Sequence, residues 1–216
     1  LKGVVMKAHY NGLIPRNPFI QFHISPNVKE REYLTEDELK AVMTHEFADS
    51  KLAYIRDIFI FASFTALSFV DIQELTNDNI VEVNGEKWIL SKRHKTKVAF
   101  QVKLLDIPLQ IIERYKYLSE DKLVFGKINY WTMCKQLKKV MAECGIEKQI
   151  SYHCARHTFG TLALSKGMPI ESVSRVLGHT NIVTTQIYAK ITTQKLDNDL
   201  TMFGNKLNAS FGSVTP

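Results

Sequence analysis

Long apolar runs are missing from this sequence. Its largest apolar stretches, around Ile58 to Phe61 and Ala66 to Val70, fall far short of the roughly 20 residues that a membrane-spanning helix needs. No membrane segment is expected. Leu1 to Tyr10 lacks the basic start, apolar middle and small-residue cleavage site of a secretory signal, and the missing initiator methionine reads as a truncated start. The cytoplasm of a bacterium is the expected location. Cysteine is scarce: Cys134, Cys144 and Cys154 form no C-x-x-C pair and are odd in number, which argues against a disulfide framework and fits a reducing compartment. They read as ordinary helix residues. Internal repeats and low-complexity tracts are absent too, and so is the clustered carboxylate pair that two-metal nucleases use.

What is present suffices for a full core. The chain has 216 residues, 45% of them hydrophobic, which favours one main domain. Its formal net charge of +6 favours a polyanionic partner, because neutralising phosphates supplies most non-specific nucleic-acid affinity. Many basic proteins bind no DNA, so charge is only one indication.

Residues 1 to about 12 read as the end of a helix. Prolines at 15, 18 and 26 break any continuation, so Ile14 through Pro26 reads as a connector. Residues 1 to 30 are therefore expected to be the end of a truncated N-terminal domain plus its linker. Thr35 to Glu38 is a capping box followed by Leu39, Val42 and Met43 at helical spacing, which predicts a helix from Thr35 and opens the main domain at residue 31. Leu52 to Ala66 is apolar nearly all round and predicts a buried central helix, with a short helical turn at Asp71 to Leu75.

The period then changes. Asn79 to Val83, Lys87 to Leu90 and Val98 to Leu104 are rich in β-formers, and Asn84-Gly85 is a strong hairpin signal. Helical periodicity returns after Pro108, in Leu109 to Leu118, Tyr130 to Glu143, His153 to Ser165, Ile170 to Leu177, a segment ending near Tyr188, and a last helix around Thr193 to Phe203. The expected fold is mainly α with a small three-stranded antiparallel sheet. The main domain is expected at 31 to 192, with a C-terminal helix and tail at 193 to 216.

Chemistry concentrates in the last third. His153 and Arg156 stand three apart and share a helix face. A guanidinium presents a donor fork matched to phosphate oxygens. His179 follows Gly178 at a break between helices, a place suited to donating a hydrogen bond to an oxygen that gains charge in a transition state. Tyr188 is a poor nucleophile until cationic neighbours favour its phenolate. Taken singly, each has an ordinary reading: a surface pair, a helix cap, a packing tyrosine. A metal site at His153, Cys154 and His157 is set aside, because no second ligand pair has the spacing and adjacent side chains diverge on a helix.

Order and spacing together are specific. The motif H-x-x-R from His153 to Arg156 precedes Leu177-Gly178-His179 by the interval that puts His179 23 residues after Arg156, and Tyr188 follows nine after His179. This pattern resembles the tyrosine recombinase and phage integrase family. Tyr33 to Leu39 and the Asn17-Pro18-Phe19 connector extend the resemblance over nearly the whole chain. It implies the catalytic fold of that family and a reaction without cofactor or metal. In it Tyr188 attacks a DNA phosphodiester, a 3′-phosphotyrosine forms, and a partner strand's 5′ hydroxyl reverses the step. Double-stranded DNA sites and self-association as a tetramer are the implied partners. The family also uses a lysine in a β-hairpin loop, which corresponds to Lys95 in Ser91 to Lys97 and implies protonation of the departing 5′ oxygen. A basic turn that only touches phosphates is the plainer reading of the same run.

One departure stands out. Where the family carries T-G-L-R, this chain has Thr65-Ala66-Leu67-Ser68, and a serine hydroxyl carries no charge to offset that of the transition state. Losing one such donor costs on the order of 10² to 10³ in rate unless something replaces it. Arg93 is the expected replacement, since in an extended stretch Arg93 and Lys95 leave the same face. A serine at this place with an R-x-K-T turn resembles integrases of Bacteroidetes mobile elements. Asp71, where the family has a carboxylate, is expected to orient other groups rather than act as a base.

Three readings stand at this point: a mobile-element recombinase, a DNA-binding homologue with impaired chemistry, and a type IB topoisomerase. Leu196, Leu200 and Phe203 form an apolar stripe at i, i+4 and i+7. That stripe fits docking on the chain's own domain and on a neighbouring protomer equally well.

Overall fold

A computed structural model describes residues 1–20, 32–94, 98–117, 122–189 and 193–212. Two compact units divide the chain, Leu1–Glu30 and Arg31–Pro216. In the first, helix α1 (Lys2–Tyr10) ends at Asn11, whose N–H bonds back to the carbonyl of Lys7.

The second unit begins with a helix whose start was written locally. The Thr35 hydroxyl accepts from the Glu38 N–H and the Glu38 carboxylate accepts from the Thr35 N–H at 2.7 Å, so α2 (Glu36–Thr44) has two of its orphan donors satisfied. Helix α3 (Ser50–Thr65) is capped by Asp49 and buried on almost every side, with Ile58, Phe59, Phe61 and Ala62 fully enclosed. It is the axis of the unit, in contact with α2 and with three helices further on. A short helix, α4 (Phe69–Gln73), starts two residues earlier than its apolar pattern predicts, because Ser68 caps it.

Strands β1 (Ile80–Val83), β2 (Glu86–Lys92) and β3 (Ala99–Lys103) pair in that order, both pairs antiparallel. Asn84 and Gly85 both take positive φ, 53° and 77°, the combination that a two-residue hairpin turn demands. Ile89, Phe100 and Val102 turn one face of the sheet into the core.

Helix α5 (Asp106–Tyr115) begins three residues before the predicted Leu109 and takes Pro108 into its first turn. There the missing N–H has no intrahelical acceptor to lose, so proline does not delay the start. Helices α6 (Tyr130–Glu143), α7 (His153–Ser165) and α8 (Ile170–Leu177) match their sequence patterns. The segment toward Tyr188 is two 3₁₀ turns, Ile182–Thr184 and Gln186–Tyr188. The last helix, α9 (Thr193–Phe211), runs eight residues beyond the predicted Phe203, since Gly204 alone does not stop it. Among the described residues, no helix is long and apolar enough to cross a membrane. Cys134 lies in α6, Cys144 at its end and Cys154 in α7, all as free thiols.

Helix α3 packs on α5, α6 and α7. Buried Asp57 ties it to α5 through Arg114 and the Tyr115 hydroxyl, each at 2.7 Å. A second, smaller core of Ala66, Leu164, Val173 and Leu177 joins the end of α3 to α7 and α8, and Tyr188 packs against it.

Candidate active site

Ala66 follows the last turn of α3 in the left-handed region, φ 56°, a conformation that costs a residue with a Cβ roughly 1 to 2 kcal/mol. Its carbonyl accepts from Nη1 of Arg156 at 3.0 Å, and Nη2 of the same guanidinium donates to the carbonyl of Leu177, the last residue of α8. Arg156 is thereby held between two helix ends, where unsatisfied carbonyls favour positive charge.

Arg93 occupies the neighbouring corner. It lies just beyond β2, where its N–H still bonds Val98 and prolongs the ladder by one step. Only 5% of the residue is exposed. Nη1 donates to Asp71 at 2.7 Å, Nη2 donates to the Val176 carbonyl at 2.5 Å, and the guanidinium lies 3.9 Å from the centroid of the Phe100 ring. Its Nε has no hydrogen-bond partner among the described residues. Gly178 ends α8 at φ 64° and also makes room: a Cβ there would stand 3.0 Å from Arg93 Nε.

Asp71 gathers this corner. One carboxylate oxygen accepts from Arg93 and from the Ser68 hydroxyl, both at 2.7 Å, and the other from the His94 N–H at 3.1 Å. Burial alone would raise its pKa. The donors from Arg93, Ser68 and His94 together outweigh burial and hold the carboxyl below its usual range. Burial lowers the pKa of Arg93 against the pull of Asp71. In Arg156, burial and the charge of Arg93 bring the value down to about 10, with Tyr188 and Asp71 pulling the other way. Both guanidiniums stay cationic at neutral pH, so two positive charges share this small volume.

His179 follows Gly178, with Nδ1 2.8 Å from the hydroxyl of Thr185. Burial, then the charges of Arg156 and Arg93, push its pKa down to about 4, which leaves the imidazole neutral at pH 7. Tyr188 ends the second 3₁₀ turn, half-buried, with its ring against α7. The contact is with Gly160, four residues beyond Arg156 and so on the same helix face. His157 lies beside the tyrosine, ring centroids 5.4 Å apart, and His153 meets His157 edge-on at 4.6 Å.

Arg156, Arg93, His179, Tyr188, Asp71 and Ser68, drawn from five separate segments, therefore converge. His153 is exposed at the start of α7 and stands edge-on to His157, which lies beside the tyrosine. Lys95 lies outside the described residues. Sequence reasoning missed Gly160, Phe100 and Thr185. A glycine inside a helix, costly relative to alanine, was the one available signal for the first; the other two had none. Among the described residues, no three His, Cys, Asp or Glu side chains stand together as a metal-binding group.

Comparison with known proteins shows a family and a fold. The family model described as "Phage integrase family" matches residues 32–195. A tyrosine recombinase XerA of Pyrococcus horikoshii is 32% identical over 177 residues, 76% of this chain and 58% of the relative. A tyrosine recombinase XerD of Listeria monocytogenes is 44% identical over 118 residues, 52% of this chain and 39% of the relative. The chain thus spans little more than half of the first relative and less of the second. Among solved structures, the Tn1549 transposon integrase in complex with a circular intermediate DNA superposes with a TM-score of 0.76 at 19% identity, covering 93% of this chain and 76% of that one. The XerA recombinase crystal structure superposes with a TM-score of 0.65 at 22% identity, covering 92% and 73%. At such identities, these likenesses establish the fold.

Proposed function

The chain belongs to the phage integrase family, and from that membership we propose that it is the catalytic part of a site-specific DNA recombinase working through a 3′-phosphotyrosine on Tyr188. The Tyr188 oxygen attacks a scissile phosphodiester, and the bond to the 5′ oxygen breaks. Lys95 gives that oxygen its proton. A 5′ hydroxyl from a partner strand then attacks the phosphotyrosine and releases the tyrosine. Bond energy is kept in the covalent link, so the two steps need no ATP.

One observation carries the reading above the others. Tyr188 packs on the face of α7 that also bears Arg156, and the guanidinium next to it favours the phenolate that attack requires. Arg156 and Arg93 offer fixed positive charge where the phosphate gains negative charge, and burial strengthens that interaction relative to water. Arg93 takes the part that Ser68 leaves open, while the Ser68 hydroxyl serves Asp71 and Asp71 orients Arg93. His153 contributes from the rim of the site.

In this reading residues 1–30 are the end of a preceding DNA-binding domain with its linker, 31–192 the catalytic domain, and 193–216 a helix and tail that join protomers into a tetramer on two duplexes. Leu196, Leu200 and Phe203 are 49%, 60% and 58% exposed on α9, which favours a neighbouring protomer as their partner. A mobile element that integrates and excises in the bacterial cytoplasm is the setting we favour.

A nicked suicide substrate tests the central step, because loss of the small 5′ fragment traps the covalent complex. The intact chain should form a DNA adduct that survives denaturing electrophoresis, and Tyr188→Phe should form none. DNA binding without any adduct would identify a homologue that has lost its chemistry. Relaxation of supercoiled DNA irrespective of sequence would identify a topoisomerase.

A further inference from the structure

Thr185 is wholly buried, yet it is polar. Its hydroxyl stands 2.8 Å from Nδ1 of His179, and its carbonyl accepts the backbone N–H of Tyr188 at 3.0 Å. One residue therefore holds the imidazole by its side chain and the tyrosine by its backbone. We propose that Thr185 is a positioning residue: its hydroxyl donates to Nδ1 of His179, fixes the ring as the Nε2–H tautomer, and so aims that N–H at the scissile phosphate. The last clause rests on the recombinase reading above.

The direction of this hydrogen bond follows from counting protons. A neutral imidazole has one N–H and one bare nitrogen, and burial together with two nearby arginines keeps His179 neutral. If Nδ1 carried the proton and donated to Thr185, the threonine's own proton would be buried with no acceptor among the described residues, since His179 is the sole partner of that hydroxyl there. Buried donors rarely go unpaired. Donation from Thr185 satisfies both groups and leaves Nε2–H as the histidine's free donor. A histidine useful to a developing oxyanion must offer a donor without reorganising at the moment of reaction. The pair lies six positions apart on one stretch of chain, His179 to Thr185, folded by Asn181 capping the turn Ile182–Thr184. The hydroxyl and the ring are thereby fixed by one short loop.

The tautomer is read directly by long-range proton–nitrogen correlation of the imidazoles in the 15N-labelled chain at pH 7 without DNA. A His179→Ala spectrum assigns the signal among the seven histidines. His179 is expected as Nε2–H. Thr185→Val keeps the shape and removes the hydroxyl, and should mix the two tautomers; Thr185→Ser should restore one. In the suicide-substrate assay Thr185→Val should slow cleavage about tenfold, less than the roughly 10² to 10³ lost with an oxyanion donor itself. DNA affinity should hold, and the change should add nothing to His179→Ala. An Nδ1–H signal in the unaltered chain overturns the proposal, and so does additivity of the two losses. If Thr185→Val does not fold, the tautomer of the unaltered chain still decides. The spectrum needs no activity, so a failure here is separable from failure of the recombinase reading, which would show as absence of a Tyr188-dependent adduct.

Discussion

The ring of Tyr188 lies so close to Gly160 that a Cβ at position 160 would fall 2.9 Å from its Cδ2. In most helix interiors alanine in place of glycine stabilises by about 1 kcal/mol. Here the added methyl must move the tyrosine. Gly160→Ala is expected to leave the melting temperature unchanged or slightly raised. Covalent DNA capture should fall on the order of 10²-fold, the scale of a displacement of about 1 Å in a reacting group. Unchanged capture would mean that Tyr188 reacts from a different position.

Arg93 and Lys92 are neighbours with opposite fates. Lys92 is exposed at the end of β2, while Arg93 is buried against Asp71, Val176 and Phe100. Arg93→Ala should reduce suicide-substrate cleavage by about 10² or more. Lys92→Ala should reduce only affinity, and less so as salt is raised, as expected for a solvated phosphate contact. Equal and mild losses would refute the assignment of the missing arginine's role to Arg93. Arg93→Ala also strands Asp71, so Arg93→Lys, which retains charge without the fork, should recover stability better than cleavage.

Acid should weaken the fold through His179. Its pKa is about 4 in the folded chain against an ordinary value of 6.5. Between these values the unfolded chain binds more protons, so stability rises with pH across that window. The contribution is complete above pH 6.5 and is lost as pH falls toward 4. Melting temperature measured at pH 4.5 and 7 should differ more for the intact chain than for His179→Ala. An identical difference in both would show that the histidine does not titrate low.

The exposed stripe on α9 bears on assembly. Truncation before Thr193 removes Leu196, Leu200 and Phe203. If the helix docks on a neighbouring protomer, truncation should abolish recombination between two sites while cleavage of a single suicide substrate persists. Sedimentation on DNA should shift from tetramer to smaller species. Recombination at the original rate would remove α9 from the assembly.

Local features were legible because their physics is local. The Thr35 to Glu38 box and the Asn84-Gly85 turn each settle within four residues, and both stand where the pattern puts them. The same holds for the spacing of His153, Arg156, His179 and Tyr188, which announced the family before any coordinate. Errors fell at edges. Pro108 entered the first turn of α5, and α9 outran Phe203, because single-residue propensities of about 1 kcal/mol yield to their surroundings.

Sequence by itself thus determined the order of elements, the family signature that ends at Tyr188 and the absence of an arginine at Ser68. Tertiary structure decided which groups surround Ser68 and Asp71, with Arg93 among them. Asp71 and Val176 lie 22 and 83 residues from Arg93, Gly160 is 28 residues before the ring it accommodates, and the partner of the Thr185 hydroxyl depends on how one loop closes over α7. No periodicity encodes such contacts. They follow from which buried polar groups must find partners once the small core of Ala66, Leu164, Val173 and Leu177 has closed.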